Sequence, residues 1–136
     1  MALMKVLVAD KLDPAALDEM RTLGVELSYQ PELGADALPA AVKDVNVLIV
    51  RGTPVRAACM KAGVMLNLII RAGAGVKSID VKTASERGIY VADCPGKNAT
   101  GVAELTMTLI GCLDRRVPDA IDSLRAGKWE KQEFAK

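Results

Sequence analysis

Histidine is absent from this 136-residue sequence, and aromatic residues make up only 3% of it. The three cysteines, Cys59, Cys94 and Cys112, therefore have no imidazole base beside them, which argues against a cysteine nucleophile. Their number is odd and none are spaced as CxxC, so they read as reduced, mostly buried thiols of a cytoplasmic protein. So few aromatic rings leave almost nothing to stack on bases. The net charge of +1 offers neither a basic surplus for nucleic acid nor an acidic tail for a cationic partner. The opening residues, Met1 to Lys5, lack the long apolar stretch of a signal peptide. The longest mostly apolar run, residues 101–113, contains Glu104 and two threonines and is far shorter than a membrane span. No internal repeat or low-complexity segment is present.

What is present is aliphatic. Hydrophobic residues make up 51% of the chain, enough for one domain with a core of Val, Leu, Ile, Ala and Met. Apolar runs of strand length recur at Lys5–Ala9, Val25–Tyr29, Val45–Arg51, Leu66–Ala72 and Ile89–Asp93. All but the second lack polar alternation, as expected of parallel strands buried on both faces. Helices are expected between them, at Pro14–Leu23, Ala35–Lys43, Arg56–Gly63 and Val81–Arg87. Asp13 caps the first with Pro14 in its first position, while Gly24, Gly63 and Gly88 stand where helices stop. Right-handed crossovers give a flavodoxin-like, five-stranded parallel sheet of order 2-1-3-4-5, with a switch point between strands 1 and 3.

After Asp93 the character changes. Cys94-Pro95-Gly96-Lys97-Asn98 reads as a turn and hinge, dividing residues 1–97 from 98–136. A long helix follows, over Thr100–Arg115, with Glu104 in its first turn and Arg115-Arg116 at its end. A second runs over Pro118–Ala126. Val102, Ala103, Leu105, Met107, Leu109, Ile110, Cys112 and Leu113 cover most of the long helix's circumference, more than one sheet can bury. A further domain or a second subunit is expected to cover it. Trp129 and Phe134 are expected to anchor the tail on a surface.

The chemistry concentrates at strand ends. Leu68 to Arg71 runs into Ala72-Gly-Ala-Gly-Val76, and a glycine loop there presents backbone N–H groups to an anion. Arg51 ends the neighbouring strand, and a guanidinium suits a carboxylate or phosphate because its planar fork donates two parallel hydrogen bonds. Solvated strand-end arginines, paired with Asp10 or Asp93, are the plainer alternative. Gly73-x-Gly75-x-x-Ser78, with Asp93 twenty residues after Gly73, imitates a dinucleotide fingerprint. The imitation is incomplete: Ser78 stands where the third glycine belongs, and the loop follows the fourth strand, not the first. A tight turn that simply needs glycine remains possible; an anion loop for a small substrate is the favoured reading. Asp10 invites comparison with phospho-receiver domains, but Arg51 occupies the place their phosphoacceptor aspartate needs.

Leu48-Ile-Val-Arg-Gly-Thr-Pro-Val55, Arg71-Ala-Gly-Ala-Gly-Val-Lys-Ser-Ile-Asp80, Ala103-Glu-Leu-Thr106 and Leu124-Arg-Ala-Gly-Lys-Trp-Glu130 together resemble the D-isomer-specific 2-hydroxyacid dehydrogenases. The resemblance covers essentially the whole chain, in order. It implies a substrate-binding lobe of an NAD-dependent oxidoreductase acting on a small anionic 2-hydroxy acid. By the resemblance, Ala72, Gly73, Ala74, Gly75 and Val76 hold the substrate carboxylate through backbone N–H groups, with Arg51 near the substrate and Arg71 close by. A basic residue after the tryptophan matching Trp129 can reach a neighbouring subunit's active site, and Lys131 is the candidate. The helix from about Asn98 is similar to one that crosses into the nucleotide-binding lobe and helps form a homodimer. The family's own GxGxxG module and its catalytic arginine, glutamate and histidine are expected beyond Lys136, so this chain is expected to hold no NAD and to be inactive alone. Lys77-Ser78 stands where the family usually has Asp-Asn. A stand-alone flavodoxin-like module that binds a small anion or nucleotide without catalysis is the alternative.

Overall fold

The computed structural model describes residues 3–135. The chain divides into two compact units, Met1–Lys97 and Asn98–Lys136.

The first unit is a five-stranded parallel sheet ordered β2-β1-β3-β4-β5, as the apolar runs imply. Its strands are β1 (Lys5–Val8), β2 (Glu26–Tyr29), β3 (Val47–Val50), β4 (Leu68–Arg71) and β5 (Tyr90–Ala92). Its helices are α1 (Pro14–Thr22), α2 (Leu38–Ala41), α3 (Ala57–Ala62) and α4 (Val81–Glu86). Each strand is a residue or more shorter than its apolar run: β2, β3, β4 and β5 begin later than their runs, and β1, β3, β4 and β5 stop one residue sooner, where Ala9, Arg51, Ala72 and Asp93 open the carboxyl-edge loops. The expected Ala35–Lys43 helix shrinks to the single turn of α2, Leu38–Ala41. Alternate strand residues point to opposite faces. Leu7, Leu48, Val50 and Ile69 pack with Leu38 of α2, Val42 that caps it, Cys59 and Met60 of α3 and Ala84 of α4. Val6, Val8, Val47 and Ile49 meet Leu17 and Met20 of α1 on the other face. Burial on both faces is why β3 reads as an unbroken Val-Leu-Ile-Val.

Helix ends follow their sequence signals in part. Asp13 caps α1, its carboxylate accepting from the Ala15 amide at 2.9 Å. Gly63 does end α3, but not through a left-handed turn: its φ is −81°, and an added Cβ would sit 3.0 Å from Leu66 Cβ. Close packing against Leu66 is the reason for glycine there.

The second unit holds α5 (Ala99–Asp114) and α6 (Val117–Arg125). Because α5 begins at Ala99, Glu104 falls in its second turn and not the first, beyond the four amides at the helix end. Likewise Arg115 is the cap after α5, and no basic residue lies in its last turn. Neither α5 nor α6 has a buried residue. No helix among the described residues is long and apolar enough to cross a membrane.

Of the thiols, Cys59 is buried, while Cys94 and Cys112 are only half-buried, so the expectation of mostly buried cysteines holds for one of three.

Candidate functional site

Parallel register sets the site. Val50 of β3 lies opposite Arg71 of β4, so the next residues, Arg51 and Ala72, leave the sheet side by side. The Ala72 amide donates to the Val50 carbonyl at 2.7 Å and extends that pairing by one bond. Both chains then turn at the carboxyl edge, where open α/β sheets carry ligands.

The turn after β3 is held by Asp10, which follows β1 across the switch point. One carboxylate oxygen, Oδ2, accepts from the amides of Arg51 at 2.6 Å, Gly52 at 3.0 Å and Thr53 at 3.0 Å. The other accepts from the Thr53 hydroxyl at 3.1 Å. Burial pushes the Asp10 carboxyl up, but these four bonds together outweigh it and hold its pKa below the usual value. Asp10 thus binds backbone, not the arginine guanidiniums that the plainer sequence reading paired it with. Arg51 itself is exposed. With Lys11, Leu12, Asp13 and Ala72 it lines an open depression of about 410 Å³.

The loop after β4 is held from two sides. Arg71 Nε donates to the Arg51 carbonyl at 3.1 Å, and Nη1 donates to the carbonyls of Ala74 and, at 3.0 Å, Gly75. Asp93, just past β5, accepts from the Gly75 amide at 2.6 Å. The two glycines have different reasons. Gly75 sits at φ +81°, a region that costs a side chain strain. A Cβ on Gly73 would come within 3.3 Å of the Arg71 guanidinium. The amides of Ala74 and Val76 have no partner among the described residues.

The loop departs from a dinucleotide fingerprint in its contacts as well as its sequence. The acid that should meet a ribose, Asp93, is bonded within the loop, and Arg71 is folded against it. Lys77 is exposed, and the buried Ser78 hydroxyl oxygen has no partner.

The structure therefore gathers Arg51, Arg71 and Ala72–Val76 at one edge. Lys131 belongs to the second unit, where it lines an open depression of about 430 Å³ with Arg115, Leu124, Trp129 and Phe134. Trp129 is 78% exposed, whereas Phe134 is half-buried with the Arg116 guanidinium 5.0 Å from its ring centre. An apolar depression of about 610 Å³ lies at the opposite, amino edge of the sheet, between Leu3, Met4, Asn46, Met65, Asn67 and Tyr90. Among the described residues no cluster of acidic, Cys or His side chains could hold a metal. The carboxyl edge can bind and orient an anion, and its carboxylates, Asp10 and Asp93, are engaged by backbone amides.

The roles of Asp10 and Asp93 as backbone clamps escape the sequence reading. The available signal was position, since each stands one or two residues past a strand at the ligand-bearing edge.

Comparison with known proteins agrees with this architecture. The family model "D-isomer specific 2-hydroxyacid dehydrogenase, catalytic domain" matches residues 6–133. Human D-3-phosphoglycerate dehydrogenase is 38% identical over 97% of this chain and 25% of its own length. Hydroxypyruvate reductase of Thermotoga maritima is 42% identical over 97% of this chain and 44% of its own. The solved 3-phosphoglycerate dehydrogenase of Entamoeba histolytica, with NAD+ bound, superposes with a TM-score of 0.71 at 29% identity, covering 80% of this chain and 38% of that one. The chain thus spans about a quarter of the length of the phosphoglycerate dehydrogenases it matches. With a family model matched across nearly its full extent, the chain belongs to the D-isomer-specific 2-hydroxyacid dehydrogenases.

Proposed function

We propose that residues 1–97 are the substrate-binding lobe of an NAD-dependent dehydrogenase of D-2-hydroxy acids, acting on D-3-phosphoglycerate in the first step of serine synthesis. Residues 98–136 then form the crossover helix and the start of the nucleotide-binding domain. The observation that carries the reading is the pair of unpartnered amides, Ala74 and Val76, on a loop beside Arg51. Such amides suit one carboxylate, and a neighbouring guanidinium adds charge to the grip. NAD is the cofactor of the complete enzyme, and relatives with NAD bound support that. This lobe holds no part of the cofactor. It orients the hydroxy acid so that a hydride can leave C2 toward the nicotinamide while a histidine from elsewhere takes the proton. The apolar circumference of α5 supports a homodimer formed through residues 98–116, in the cytoplasm.

Calorimetric titration with D-3-phosphoglycerate tests the reading. Binding that is lost in Arg51→Ala and in Gly75→Val supports it. Tight nucleotide binding with no response to any 2-hydroxy acid contradicts it and points to a stand-alone anion module. The 136-residue chain alone is expected to show no turnover with NAD and D-3-phosphoglycerate; turnover in clean material would overturn the division of labour.

A further inference from the structure

The Arg71 guanidinium is occupied by the chain itself. It donates to three carbonyls, those of Arg51, Ala74 and Gly75. The close approach of Gly73, where a Cβ would meet the guanidinium at 3.3 Å, keeps the loop wrapped around it.

Peptide geometry turns these contacts into an orientation. A planar trans peptide places its N–H and C=O on opposite sides, and no described peptide is cis. With the Gly75 carbonyl on Arg71, the Val76 N–H faces away from the guanidinium. With the Ala74 carbonyl on Arg71, the Gly75 N–H faces away too, and there Asp93 meets it at 2.6 Å. The Gly73 carbonyl accepts from the Cys94 amide at 3.0 Å, which turns the Ala74 N–H away from the end of β5. Every peptide from 73 to 76 is thus fixed by a named partner, and the two amides left over are those of Ala74 and Val76.

We propose that Arg71 is a positioning residue: through the Gly75 carbonyl it turns the Val76 amide toward the substrate carboxylate, beside the Ala74 amide that the Gly73–Cys94 bond sets, and it leaves Arg51 as the guanidinium the ligand meets. This rests on the carboxylate-binding reading of the loop. It separates two arginines that look equivalent in sequence, one acting by charge on the ligand and one by geometry on the backbone.

Charge and geometry part in Arg71→Lys, which keeps the positive charge but loses the planar fork. Backbone amide NMR spectra of the wild-type chain, Arg71→Lys, Arg71→Met and Arg51→Lys are recorded without ligand and then with D-3-phosphoglycerate. Without ligand, both Arg71 variants are expected to move the Ala74, Gly75 and Val76 signals, with the Leu48 and Ile69 signals in place; Arg51→Lys leaves the loop signals nearly unmoved. With ligand, Arg71→Lys is expected to bind about tenfold more weakly, as weakly as Arg71→Met. A loop unmoved by Arg71→Lys overturns the inference whatever the ligand does. So does Arg71→Lys binding as wild type while Arg71→Met does not, because charge would then suffice. If wild type shows the loop tether but no ligand-induced shift at residues 72–76, the carboxylate reading itself fails, and the amides' role with it. Should Arg71→Met fail to fold, Arg71→Lys with an intact sheet decides alone.

Discussion

The two units use similar aliphatic residues to opposite ends. In the first, Leu48 of β3 and Met60 of α3 are fully buried, and helices cover both faces of the sheet. In the second, Leu105, Met107 and Leu113 of α5 are 59%, 69% and 77% exposed, and neither helix buries a residue. Hydrophobicity alone therefore does not make a core; a layer has to exist for the apolar face to meet. The first unit supplies its own layers. An apolar helix with none is expected to be completed by another body.

Four changes would break or sharpen that contrast. Largest is truncation in the core: Leu48→Ala should cost about 2–5 kcal/mol by chemical denaturation, and Leu105→Ala no more than about 0.5 kcal/mol. Equal costs would erase the distinction between the units. Next is association. Alone in solution the chain should form dimers or larger species through α5, and Leu105→Glu with Leu113→Glu should return the light-scattering mass to that of a monomer. A monomeric wild type at high concentration would remove the argument for a covered helix.

The third concerns the clamp. The Asp10 pKa is depressed, so its contribution to stability is full above the ordinary aspartate value of 3.8 and is lost as pH falls through its lower folded value. The stability advantage of wild type over Asp10→Asn should therefore be largest near neutral pH and narrow as pH falls below that value. An advantage constant down to strong acid would mean that the carboxylate charge contributes nothing. The smallest effect is chemical. Burial raises the Cys59 thiol to about 11 from a reference of 9.0. Its alkylation near pH 8 should be about 100-fold slower in the folded chain than in denaturant.

Much of the first unit was legible because strands buried on both faces write themselves as unbroken aliphatic runs. The order 2-1-3-4-5 followed from their alternation with helices. Edges were read less well. Arg51 and Ala72 were counted into strands because hydropathy does not mark where a ladder stops and a loop begins. Glu104 lies past the first turn of α5, since it is the sixth residue from Ala99 and would be the fifth even from a start at Thr100. At the site, Arg51, the glycine loop and their proximity were visible in sequence. The task of Arg71 was not, since a side chain that folds back onto carbonyls three and four residues ahead leaves no mark in composition. Asp10 and Asp93 were noticed as charges. That they bind backbone amides depends on turn geometry, which only coordinates contain.

The most direct test is a crystal structure of the chain soaked with D-3-phosphoglycerate. The account predicts the carboxylate within hydrogen-bonding distance of the Ala74 and Val76 amides, with the Arg51 guanidinium beside it and Arg71 still tied to the loop carbonyls. A ligand seated at the amino edge near Asn46 and Tyr90, or one gripped by Arg71 swung free of the loop, would contradict it.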